Sequence, residues 1–111
     1  MTTTLDDQTV RDHLDEIWDE TVEEWERESD LDAADLELVE QLELIGGFEF
    51  FWDEEFDRVG YEAPSIPKDW KTKDYAENVR SWGQVSKINM AINDLGMKAR
   101  TRIEEDLGLT D

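Results

Sequence analysis

Six basic side chains in the second half of this 111-residue chain are spaced as if to meet an extended anion. Lys73, Arg80 and Lys87 recur every seven residues, which on one continuous helix places them on a line about 21 Å long. Lys98, Arg100 and Arg102 follow closely. Cations in register on one face can neutralise successive phosphates, so the six are the candidate surface for any contact with DNA. A solvated helix face uses the same residues, and so does a face that pairs with an acidic helix of a neighbouring copy.

Other reactive groupings are weaker. His13 is the single histidine and stands among acids, with no partner for a triad or a metal cluster. Carboxylate pairs such as Glu16/Glu20 and Asp53/Asp57 fall at helical spacing. Among 31 acidic residues such pairs arise by chance and carry no catalytic weight. There is no phosphate loop, nucleophile elbow or zinc spacing. The expectation is a non-enzyme with no metal and no cofactor.

The charge is lopsided. Net charge is −20. Residues 1–63 hold 23 acids against 3 arginines, whereas residues 68–102 hold 8 bases against 4 acids. Five Trp and four Phe supply enough apolar area to argue against disorder. An acidic partner-binding surface or a DNA mimic is one reading of the excess. Adaptation to high salt is the preferred one, because acids surround every expected helix and lysine is scarce. The absence of cysteine leaves redox compartment unread. No apolar run approaches membrane-spanning length, and the first residues lack the basic and apolar regions of a signal peptide. A soluble, cytoplasmic protein is expected.

The elements that must position these residues read as helices. Val10, Leu14, Ile17, Trp18, Thr21, Val22 and Trp25 form one stripe roughly 140° wide, predicting an amphipathic helix over residues 7–28 with caps among residues 4–6. After the polar break at residues 29–32, a second helix is expected over 33–58, kinked at Gly46-Gly47. Its apolar residues point several ways: Phe48, Trp52 and Phe56 share a face and Phe50 faces elsewhere. A loop with Pro64 and Pro67 covers about 60–73. A third helix over 74–95 carries Tyr75, Val79 and Trp82 on one face and Val85, Ile88, Ile92 and Leu95 on another, with Gly96 as its stop. A short helix over 98–107 closes the chain. The expected fold is all-α, a single small helical bundle of three main helices plus the short terminal one, with no sheet. Apolar surface beyond what one bundle buries marks Phe48, Phe50, Trp52, Phe56, Tyr75 and Trp82 as a candidate oligomer interface.

The order of several short motifs resembles a tailed-phage or archaeal-virus terminase small subunit family. The pieces are Ile17-Trp18-Asp19, Leu31-Asp32-Ala33-Ala34-Asp35, Arg58-Val59-Gly60, Asn93-Asp94-Leu95-Gly96-Met97 and Thr101-Arg102. Lys98-Ala99 stands where that family has Ser/Thr-Pro, and Asp74-Tyr75 replaces its Asn-Pro. The resemblance implies a viral DNA-packaging protein in the host cytoplasm that assembles as a homo-oligomeric ring. Such a subunit binds viral double-stranded DNA and regulates the large terminase subunit. A head–tail adaptor and an acidic helical inhibitor or DNA mimic are the alternatives.

Overall fold

The first helix, α1, spans Asp7–Glu28. Asp6 caps it, its carboxylate accepting the Thr9 N–H at 2.9 Å, and those bonds hold the Asp6 pKa below the usual carboxylate range. A computed structural model describes residues 5–109 of the chain. The second helix, α2, is short: Ala33–Gln41. Its start is a reciprocal capping box, in which Asp32 Oδ1 accepts the Asp35 N–H and Asp35 Oδ2 accepts the Asp32 N–H.

The helix expected over 33–58 stops far earlier. After Gln41 the Glu43 N–H donates to the Glu40 carbonyl and the Leu44 N–H to the Val39 carbonyl, which is a Schellman closure. The closing position, normally glycine, is Glu43 with φ 54°. A 3₁₀ turn at Ile45–Gly47 follows. The chain then forms an antiparallel hairpin, β1 Glu49–Asp53 and β2 Arg58–Glu62. The all-α, sheet-free expectation is therefore corrected. The aromatic run Phe50-Phe51-Trp52 suits a pleated, half-buried surface better than a helix, and cross-strand pairs Phe50↔Tyr61 and Trp52↔Val59 hold the register. At the turn Asp53 Oδ1 accepts the N–H of Glu55 and Asp57 sits at φ 49°.

The third helix also differs from its expected bounds. The segment after the prolines runs through 3₁₀ turns at Trp70–Thr72 and Ala76–Asn78. Helix α3 then begins at Trp82, eight residues later than expected, and continues unbroken to Asp106, merging the rest of the 74–95 helix with the short 98–107 one. Ser81 caps it, accepting the Gln84 N–H at 3.1 Å. Val85, Ile88, Ile92, Leu95, Ala99 and Ile103 make one continuous buried stripe.

Gly96 is thus no stop but a buried mid-helix contact. A Cβ there would sit 2.4 Å from the Tyr61 ring and 3.0 Å from Phe48, so the hairpin can lie close on α3 only because the side chain is missing. Alanine gains about 1 kcal/mol of helix propensity, but overpacking costs about 1–3 kcal/mol. Gly96→Ala should therefore lower stability by about 1 kcal/mol in denaturant unfolding. An increase would show that the ring pair moves aside freely.

Helices α1 and α3 are antiparallel. Val10 packs with Ile103 in one apolar cluster, while at the other end the Trp25 indole N–H donates to the Ala91 carbonyl at 2.8 Å. The hairpin covers one side of this pair through Trp18, Phe48, Phe50 and Tyr61, whose rings meet at 5.5–6.5 Å. The larger cluster joins Trp25, Leu38, Val39, Trp70 and the first half of α3. The molecule measures 56 × 27 × 20 Å. Among the described residues no helix is long and apolar enough to cross a membrane.

Candidate partner-binding groove

Each of the six candidate DNA-binding residues has a carboxylate of its own chain within reach. Lys73 stands at the end of a 3₁₀ turn, 3.5 Å from Asp69. Arg80 precedes α3 and reaches Asp35 at 2.9 Å and Asp32 at 3.2 Å. Lys87, one turn into α3, meets Asp35 at 3.1 Å. Lys98 bridges Glu24 and Glu28 of α1, and Arg102 bonds Glu24 and the Thr21 hydroxyl. Arg100 lies 3.6 Å from Glu104 and over the Tyr61 ring. Lys73, Arg80 and Lys87 share no single helix, so the 21 Å line is not formed.

The pairing shifts acids and bases alike. The Arg102 hydrogen bond lowers the Glu24 pKa, and the Asp35 N–H does the same for Asp32. The Glu28 hydrogen bond raises Lys98, and the Asp32 bond raises Arg80. Asp35 is the hub. Its side chain is fully buried, and burial by itself would raise its pKa. Hydrogen bonds from Gln84 and Lys87, the Asp32 N–H and the Lys87 charge outweigh that and hold it at about 2. One carboxylate thereby ties the start of α2 to the start of α3.

The candidate oligomer interface is divided. Phe50 is buried, and Phe48, Trp52 and Tyr75 are half-buried against the protein's own core. Phe56, at 67 % exposure, and Trp82, at 49 %, face solvent. Lys71 lies 5.6 Å from the Trp82 ring, which itself stands edge-on to Trp70. The Nδ1 of His13 is 3.8 Å from Asp106, and among the described residues nothing resembling a catalytic cluster forms around it. Among the described residues no three His, Asp or Glu side chains are grouped to hold a metal ion.

Sequence reasoning missed an open groove of about 1160 Å³ along α2 and the following 3₁₀ turn. Leu36, Leu42 and Ile45 form its half-buried floor over Val39, and Glu26, Glu37, Glu40 and Glu43 stand around it. No lysine or arginine lines it. The visible signal was the scatter of apolar residues around the expected second helix. Part of that scatter, Leu36, Leu42 and Ile45, lines the groove once the helix ends at Gln41, while Leu38 and Leu44 are buried in the core. Glu43 belongs to both the groove and the strained closure, and a left-handed non-glycine residue costs about 1 kcal/mol or more. Glu43→Gly should therefore raise stability by about 1 kcal/mol, with a melting point several degrees higher. An unchanged or lower melting point would mean that the Glu43 side chain contributes to the fold.

No curated protein and no solved structure matches the chain. A family model described as a family of unknown function matches residues 4–107. That span takes in every element from α1 to α3, and the chain belongs to this family, DUF7992.

Proposed function

We propose that this chain is a non-catalytic binding module whose acidic surface holds a basic partner protein. The observation that carries the reading is the pairing of all six candidate cations with the chain's own carboxylates. Exposed pairs are individually weak, about 0–1 kcal/mol. Even so, a phosphate backbone approaching them meets neutralised cations on a molecule of net charge −20. A basic protein surface meets the opposite situation.

In the DNA-packaging setting that the resemblance to small terminase subunits implies, the partner is the large terminase subunit. Self-assembly into a ring would use the exposed Phe56 and Trp82. An acidic inhibitor of a nucleic-acid enzyme uses the same surface, and the acid-covered outer face of α1 supports it.

Affinity-tagged chain recovered from its host in molar salt should carry protein and no nucleic acid, read by absorbance and mass spectrometry. Anisotropy with a labelled DNA duplex should show no saturable binding at low salt, with folding followed by circular dichroism. Saturable binding that Lys73→Glu/Arg80→Glu/Lys87→Glu abolishes would overturn the proposal in favour of direct DNA contact.

A further inference from the structure

We infer that the groove on α2 is a docking site for a basic amphipathic helix of the partner protein. The inference rests on the proposed function and says where, and by what chemistry, that partner is held. Two features of the groove converge. Its floor is apolar, with Leu36, Leu42 and Ile45 left half-buried by the chain's own packing. Its walls carry four glutamates and no base. A helix with leucine-like residues at i, i+4 and i+7 and lysine or arginine on both flanks satisfies floor and walls together. Helix α2 is nine residues, about 13 Å long, so the contact takes two to three turns of such a helix.

Other occupants fit less well. The groove is an open trough larger than the roughly 300–1,000 Å³ of a small-molecule pocket. An anionic membrane surface is repelled by its walls. A second copy of this chain is the closest competitor, but its cations come with acids attached. Arg11 is followed by Asp12, Arg27 lies between Glu26 and Glu28, Asp57 precedes Arg58, and Lys68 precedes Asp69. The cluster Lys98, Arg100 and Arg102 is already held by Glu24, Glu28 and Glu104. The exception among the described residues is Lys71, which lies over the Trp70 and Trp82 rings: a single lysine beside two indoles, not bases on both flanks of an apolar helix face.

The Glu43 backbone supports the same conclusion. Glycine would relieve the left-handed conformation at the end of α2, yet the position carries a glutamate on the groove wall. Backbone strain borne at a site is consistent with a duty for the side chain that bears it.

The test uses the full chain and a synthetic peptide of about 14 residues, with leucines at i, i+4 and i+7 and flanking lysines, against its scrambled isomer. Anisotropy is read in about 0.5 M salt, where unspecific charge attraction is largely screened. The patterned peptide should bind in roughly the micromolar range, at least about tenfold tighter than the scrambled one. Neutralising the walls with Glu26→Gln/Glu37→Gln/Glu40→Gln/Glu43→Gln should weaken binding roughly tenfold. The same charge change on the exposed face of α1, Asp15→Asn/Glu16→Gln/Asp19→Asn/Glu20→Gln, should alter it by less than about twofold. Leu36→Ser/Ile45→Ser, confirmed folded by circular dichroism, should abolish it.

Equal losses in the two neutralised variants would overturn the inference, because binding would then be general attraction to an acidic protein. Failure of the patterned peptide to bind would overturn it too. An oligomer that the wall-neutralised variant dissolves would replace the partner helix with a second copy. The DNA anisotropy decides the other question separately: duplex binding sinks the proposed function, whereas peptide failure without duplex binding sinks only the groove.

Discussion

Asp35→Ala should cost about 2–4 kcal/mol, among the larger effects expected of a single substitution at a polar position of this chain. The carboxylate accepts from Arg80, Gln84 and Lys87 and closes the capping box of α2. Its removal leaves the buried Gln84 amide without its acceptor and opens the capping box, whereas Arg80 and Lys87 are each about half exposed and Arg80 keeps Asp32. Urea unfolding checks the size of the loss. A change below about 1 kcal/mol would mean that solvent already reaches the cluster. Asp35→Asn separates charge from shape, since the amide can still accept one bond but no longer balances Arg80 and Lys87.

The same group sets an acid limit. The Asp35 pKa lies near 2 in the folded protein and near 3.8 for the ordinary group, so the folded state binds the proton less readily than the unfolded one. Its contribution is therefore complete above about pH 4 and fades as pH falls toward 2. The difference corresponds to about 2 kcal/mol. In molar salt, where repulsion among the other carboxylates is screened, wild-type stability should drop across that window and Asp35→Asn should flatten the drop. Parallel curves for the two proteins would show that other carboxylates govern the acid transition.

The melting temperature should climb by roughly 10 °C or more between 0.1 and 2 M salt. Along the outer face of α1, Asp12, Asp15, Glu16, Asp19, Glu20 and Glu23 are all exposed and stand three or four residues apart. Each such like-charge pair destabilises by about 0.2–0.5 kcal/mol, so together they oppose folding by on the order of 2 kcal/mol. Molar salt shortens the screening length from about 10 Å to about 3 Å and removes most of that penalty. The favourable pairs of Lys98 and Arg102 with α1 weaken as well, but exposed pairs of that kind are worth less than the repulsion relieved. Asp35, sealed from solvent, is screened least. A flat melting curve would remove the argument for adaptation to high salt.

How far the residues announce this structure varies along the chain. The stripe from Val10 to Trp25 and the polar break before Ala33 both act locally, within a few residues, and both are readable without a structure. The hairpin was hidden because its strands are only five residues each, and Phe48 to Phe56 also has a plausible helical spacing. Its stability comes from Trp18 and α3, which are distant in sequence. The start of α3 did carry a local sign, since Ser81 and Gln84 stand at capping-box spacing. Gly96 misled because glycine ends helices by its backbone freedom, whereas here it serves by lacking a side chain. The basic residues were visible and their partners were not. Lys87 meets Asp35, and Arg102 meets Glu24, only after the chain has folded back on itself.

The 56 Å length of the molecule has a consequence for weighing it in solution. Its radius of gyration is 15.7 Å, against about 13 Å for a compact chain of this size. By that scaling it fills the envelope of a globule of roughly one and a half times its 13.0 kDa. A monomer will therefore leave a sizing column early, close to where a rounder dimer would emerge, and its acidic hydration shell pushes it the same way. Elution volume alone would report an assembly where there is none. Light scattering and sedimentation, which respond to mass independently of shape, are the measurements on which the ring stands or falls.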